Sequence, residues 1–296
     1  MSNVIIVGVD GRPHSRDAVT LGAALADVTD ARVVLVHVHP YDPLAFGVAG
    51  TGPLSDDARK LLAEAAEAAP CPVETMPIAA GSPSEGLHLA AEEREARMIV
   101  VGSSHRAGVG RMLLGSHAEA VIAGAPCAVA VAPAGLADRS WSLRRVTVGF
   151  DGGQEAREAL AAAREIARSA GATLELVGVL PDEASYAWTP YTYMPDWERV
   201  RDAQRARLEH QLRSAAEGAP IEIRVGNPAE QLDGVTVGTD LLVLGSRGYG
   251  PIRRVLLGGT AHRVVRNAAC PVLVVPRSAG VATSHTDDPP EEVAAA

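Results

Sequence analysis

The sequence predicts an α/β fold made of two tandem domains, each doubly wound around a parallel sheet. Three observations carry this. The first is an internal repeat. VIIVGVDGRPHSRDAV (Val4–Val19) returns as VTVGFDGGQEAREAL (Val146–Leu160), and GSSHRAGVGRMLLGS (Gly102–Ser116) returns as GSRGYGPIRRVLLGG (Gly245–Gly259). Asp10 thus matches Asp151 and Gly102 matches Gly245, in the same order and at nearly the same offset. That offset is the length of a domain, far too long for a solenoid. The second is the alternation of short β-rich runs with helical patterns in both halves, as in parallel strands joined by right-handed crossovers. The third is composition. The chain is 47% hydrophobic but only 3% aromatic, so its core is Val, Ala, Leu and Ile, which suits tightly packed α/β layers. Its 296 residues are enough for two domains with a core each.

In the first half, Val4–Val9 is a continuous apolar run, the pattern of a strand buried on both faces. Ser15 is placed to cap the following helix, with Asp17 in its first turn favouring the dipole. Ala18, Leu21, Gly22, Leu25 and Ala26 form that helix's apolar face. Strands follow at Val33–Val38, Val73–Ile78, Met98–Val101 and Ala128–Ala132, with helices at Ser55–Ala69, Ser84–Arg94 and Ser116–Ala123 between them. In the second half, strands are expected at Val146–Phe150, Thr173–Val179, Ile221–Val225, Leu241–Leu244 and Val272–Val275, with a helix over Trp197–Glu217. Gly171 reads as the glycine ending the first helix of that half. The domains run over 1–137 and 144–278, with a linker at 138–143. The polar, aperiodic stretch 279–296 reads as a disordered tail.

A net charge of −9 without a basic tract argues against a nucleic-acid partner. No apolar run approaches the roughly 20 residues that span a bilayer, and no secretory leader is visible. Three cysteines, Cys71, Cys127 and Cys270, are too few for a disulfide framework and suit a reducing cytoplasm. Cys127 and Cys270 occupy equivalent places and read as small buried hydrophobes.

In open α/β sheets, ligands bind beyond the carboxyl ends of the strands. Three segments meet there in each half: Asp10-Gly11 or Asp151-Gly152, Val38 or Val179, and the glycine block. Gly102 and Gly245 are expected to turn the chain at positive φ. Gly115 and Gly258 open the next helix, whose free amides and dipole favour an anion. Ser116 adds a hydroxyl. The same pattern also fits plain strand-to-helix turns. It is neither a Walker loop, since no Gly-Lys-Ser/Thr follows, nor a dinucleotide fingerprint, since it follows the fourth strand.

The VGVDG start, the HV at the end of the second strand, the glycine block with its Gly-Ser, and the closing C-x-V-x-V strand resemble the universal stress protein family, in its tandem form. The resemblance spans about Met1 to Arg277. It implies a five-stranded parallel sheet of order 3-2-1-4-5 in each domain. It also implies pairing of the domains through their last strands, Ala128–Ala132 against Val272–Val275. In the family's nucleotide-binding branch it implies ATP, with Mg. Asp10 and Asp151 would then meet ribose or adenine, and Val38 and Val179 would meet adenine through their backbones. Gly102, Gly115 and Ser116 would hold phosphates in domain one, and Gly245, Gly248 and Gly258 in domain two. Both copies depart from the motif. His105 stands where the second glycine belongs in domain one. Gly259 stands where Ser or Thr belongs in domain two, with Thr260 adjacent. The intact Gly-x-x-Gly makes domain two the better expected ATP site. Arg247, Arg253 and Arg254 lie in or beside its loop and could meet phosphate or solvent.

His37 and His39 alternate on the second strand and read as hydrogen-bonded residues, since a metal would need a third ligand. No nucleophile elbow or metalloprotease motif is present. Tyr186, Trp188, Tyr191 and Tyr193 fall in an expected loop. Three functions fit: an ATP-binding regulator of the stress response, a nucleotide-free dimerisation or interaction module, and an enzyme acting on ATP. The last lacks further signatures and is expected to show weak hydrolysis at most. Homodimers are compatible with the sequence.

Overall fold

Runs rich in Val, Leu and Ile supply the ten strands of the described residues, and apolar stripes at helical spacing supply the helices that cover them. The computed structural model describes residues 3–40, 56–103, 115–182, 197–246, 255 and 257–277. The first half runs β1 (Val4–Gly8), α1 (Pro13–Thr29), β2 (Arg32–Pro40), α2 (Asp56–Glu67), β3 (Val73–Ala80), α3 (Pro83–Glu93), β4 (Met98–Gly102), α4 (Ser116–Ile122) and β5 (Ala128–Ala132). The second runs β6 (Arg145–Gly149), α5 (Gln154–Ala170), β7 (Thr173–Leu180), α6 (Trp197–Ala216), β8 (Ile221–Val225), α7 (Pro228–Val235), a 3-10 turn, β9 (Leu241–Gly245), α8 (Gly259–Asn267) and β10 (Val272–Val275).

The strands form one sheet of order β3-β2-β1-β4-β5-β10-β9-β6-β7-β8. Each half has the 3-2-1-4-5 order and is parallel throughout. The halves join through an antiparallel pair, with Val272 opposite Val131 and Val274 opposite Val129. Alternating residues feed two apolar layers. Ile6, Ile99 and Val131 meet Leu242 and Val272 on one face. Ile5, Val7, Val100 and Ala130 meet Val146, Val243 and Leu273 on the other. Both layers run across the seam, so neither half has a boundary of its own there. Arg97 adds an ion pair to Glu165 of α5 at 2.9 Å.

Local chemistry explains the helix ends. Ser82 caps α3 by accepting the Glu85 amide, while the Glu85 carboxylate accepts the Gly81 amide. Asn227 caps α7. Gly171 ends α5 at φ 62°, as its sequence position implied. Ser15 does not cap α1. Pro13 starts that helix one turn earlier than expected, so Ser15 lies inside it, buried, and bonds to Asp10. Asp17 does not serve the dipole either. It is 2% exposed and accepts the amides of Gly135 (3.0 Å) and Ala137 (2.8 Å), fastening the chain beyond β5 to α1. Asp240 holds the other end of that connection through the amides of Arg144 and Arg145. Cys127 and Cys270 are buried, and burial pushes both thiols up to about 12. The 279–296 stretch lies outside the described residues.

Candidate functional site

Each half opens a cavity at the carboxyl ends of its strands. The first, of about 330 Å³, is bounded by Gly8–Asp10, by Val36 and Val38 of β2, by Val101–Ser103, and by Gly115, His117, Ala118 and Val121. The second, of about 510 Å³, is bounded by Gly149–Asp151, Val177, Val179, Leu244–Ser246 and Gly258–Ala261. The fold therefore gathers Asp10, Val38, Gly102 and Gly115 around one space, and Asp151, Val179, Gly245, Gly258, Gly259 and Thr260 around the other. Ser116 is the first residue of α4, next to Gly115. His105, Arg247, Gly248, Arg253, Arg254 and the aromatic stretch around Trp188 lie outside the described residues.

The glycines act differently from expectation. Gly102 and Gly245 do not take positive φ. That backbone belongs to Gly11 (φ 76°) and Gly152 (φ 84°), directly after the two aspartates. Gly102 is required by a close approach instead: a Cβ there would lie 2.1 Å from the His14 carbonyl oxygen, and one on Gly245 would lie 2.6 Å from that of Glu155. The first turn of α1 or α5 is thereby pressed onto the end of β4 or β9. Gly115 and Gly258 are the N-caps of α4 and α8, and neither helix has a side-chain cap. The first amides of a helix have no partner within it.

Asp10 is the most heavily bonded polar group among the described residues of either site. Its Oδ1 accepts the Arg12 amide (3.0 Å) and the Ser15 hydroxyl (2.8 Å), its Oδ2 meets His14 Nε2 at 3.1 Å, and its own amide donates to Ser15 Oγ. Arg12 Nε stands 3.7 Å away. Burial alone would push the Asp10 carboxyl up. The bonds from His14, the Arg12 amide and Ser15 outweigh it and hold the group well below the usual carboxylate range. Asp151 is bonded to the Gly153 amide at 2.8 Å.

Sequence reasoning missed Arg12, His14 and Ser15, although the repeat alignment sets His14 against Glu155 and so marks the position as variable. It also missed Ser103. That residue is fully buried beside the first cavity, and its hydroxyl has no partner among the described residues. His37 does bond as a strand residue, to the Val9 carbonyl at 2.9 Å. Among the described residues no group of three or more His, Cys, Asp or Glu is placed to hold a metal ion.

The halves touch again beside the cavities. Val255, between Gly245 and Gly258, exchanges backbone bonds with Gly124 and Ala125 beyond α4. Glu119 of α4 meets His262 (3.3 Å) and Arg266 (3.6 Å) of α8.

The model of the universal stress protein family matches residues 1–133 and again 142–276. The chain belongs to the universal stress protein family. Among curated members, a universal stress protein of Mycolicibacterium smegmatis is 29% identical over 288 residues, covering 92% of this chain and 96% of the relative. One from Thermus aquaticus is 31% identical over 137 residues, 45% of this chain and 98% of its own. That relative is thus the length of one half. A crystal structure of a Pseudomonas aeruginosa universal stress protein, 18% identical, superposes with a TM-score of 0.64 over 93% of both chains. This universal stress protein therefore shares the family's tandem α/β arrangement. No helix among its described residues is long and apolar enough to cross a membrane.

Proposed function

We propose that this universal stress protein binds an adenine nucleotide, ATP with Mg, and acts as a cytoplasmic regulator of the stress response through nucleotide-dependent conformation. One observation carries the reading: the chain builds the same kind of cavity twice, each at the carboxyl ends of parallel strands, with an Asp-Gly turn on one side and a helix N-terminus on the other. Such a site offers unpaired amides to phosphate and a carboxylate to ligand hydroxyls or amine. The buried Ser103 hydroxyl beside the first cavity, without a partner among the described residues, is a further donor that bound phosphate or sugar would satisfy. Mg would arrive on the phosphates, which supply its oxygen ligands. Any hydrolysis would be slow leakage to water, since among the described residues no acid, base and nucleophile stand in the mutual geometry of an active site.

The second reading is a nucleotide-free interaction module. Gly259 favours it, because the position that carries a hydroxyl in the binding motif has none here. Calorimetric titration of the nucleotide-stripped chain with Mg-ATP separates the two. Heat fitting one or two sites per chain supports binding. No heat, with no thermal shift at saturating Mg-ATP, rejects it and leaves the interaction module.

A further inference from the structure

The duplication makes the same backbone contact twice with opposite side chains. The carbonyl of His14 abuts Gly102, and that of Glu155 abuts Gly245. Each residue lines its own cavity, and each side chain keeps 21% of its surface exposed. Their surroundings at the preceding Asp-Gly turn differ. In domain one, Asp10 is answered by its own chain, through His14, Ser15 and Arg12. In domain two the matching positions are Glu155, Ala156 and Gly153. A methyl placed on Gly153 would lie 3.0 Å from Asp151 Oδ1 and 3.4 Å from Glu155 Oε2, so two carboxylates face one spot. Arg277 stands 4.0 Å from Glu155. Both glycine-rich loops carry arginines, Arg106 and Arg111 in one, Arg247, Arg253 and Arg254 in the other. Loop arginines are thus common to both halves, and what the described geometry sets apart is this position. Whatever its protonation, His14 adds no negative charge. Glu155 adds one inside a cavity, offset in part by Arg277 at 4.0 Å, and a like charge there costs more than in open water.

We infer that the residue at this position sets the ligand charge each cavity accepts. The first, with His14, takes the more anionic members of a nucleoside-to-triphosphate series. The second, with Glu155, takes the less anionic ones. This rests on the nucleotide reading above, and it reverses the order that glycine spacing alone gives for ATP.

The test titrates adenosine, AMP, ADP and ATP, without divalent cation, into the full nucleotide-stripped chain by calorimetry. Wild type, Glu155→His and His14→Glu are compared. Glu155→His is expected to tighten ATP about tenfold or more while adenosine moves less than about twofold, and His14→Glu to weaken ATP by a similar factor. The site that shifts in each variant identifies its cavity. If ATP binds but its affinity relative to adenosine moves less than about twofold in both variants, the inference is wrong and the nucleotide reading stands. If no member of the series binds wild type, with or without Mg, the nucleotide reading itself fails and takes the inference with it. Circular dichroism checks folding. Should a reversed charge prevent it, Glu155→Gln and His14→Gln read the same quantity, with Glu155→Gln expected to tighten ATP.

Discussion

The carbonyl oxygen of His14 occupies the place where a side chain on Gly102 would begin, 2.1 Å from the Cβ position. Backbone presses on backbone here, so no rotamer change can relieve an added methyl. Gly102→Ala should cost about 2–4 kcal/mol. Gly245→Ala, at 2.6 Å from the Glu155 carbonyl, should cost somewhat less. Urea denaturation of the two variants checks both the loss and its order. Wild-type midpoints in both would contradict the close approach.

Asp17 is buried and accepts two amides from the chain beyond β5. Asp17→Ala leaves both donors unsatisfied, at about 1–3 kcal/mol each when no water replaces the carboxylate. The expected signature is a lower urea midpoint, with faster hydrogen exchange at Gly135 and Ala137. Unchanged exchange there would show that the carboxylate does not hold the connection.

Asp10 has a folded-state pKa held below its unfolded value by His14, the Arg12 amide and Ser15, against the opposing effect of burial. A depressed carboxylate contributes stability that is fully present above the unfolded pKa, about 3.9, and is lost as pH falls towards the folded pKa. Asp10→Asn should therefore be less stable than wild type at pH 7, and the gap should narrow as the pH drops below about 4. The carboxylate is 43% exposed, so solvent screening keeps the effect small. Paired denaturation curves at neutral and acid pH measure it. A gap that widens in acid would reverse the assigned sign.

Gly259 opens α8, and a Cβ there meets nothing within 4 Å. Gly259→Ser should fold as well as wild type and restore a hydroxyl at the helix start. A hydrogen bond to a charged group contributes about 1.5–3 kcal/mol, so Mg-ATP affinity in the second cavity should rise about tenfold or more. Calorimetry reads this directly. An unchanged affinity would place the phosphates away from α8.

The central strands were legible because they are buried on both faces and read as unbroken apolar runs, VIIV in β1 and LLVL in β9 above all. The Asp-Gly pairs were legible as turns at the strand ends, yet positive φ was assigned to Gly102 and Gly245 rather than to Gly11 and Gly152. Positive φ follows the aspartate directly, whereas Gly102 answers a distant backbone that a local pattern cannot show. Pro13 was the overlooked sign at α1. A proline at the first helical position starts the helix before Ser15, which turns Ser15 inward to Asp10. The Asp17 contacts escaped notice because 118 and 120 residues separate the partners. The seam between β5 and β10 was open to expectation only through the family resemblance, since two short apolar strands do not announce their partner.

That seam changes what concentration can do. Two separate copies joined along such strands would part on dilution, in proportion to how rarely they meet. Here β5 and β10 belong to one chain, and covalent linkage replaces the encounter with a fixed local concentration. The antiparallel pair from Val129–Val131 to Val272–Val274 is thus a property of each molecule. It persists however few molecules the cell makes, and the two cavities beside it always come as a pair.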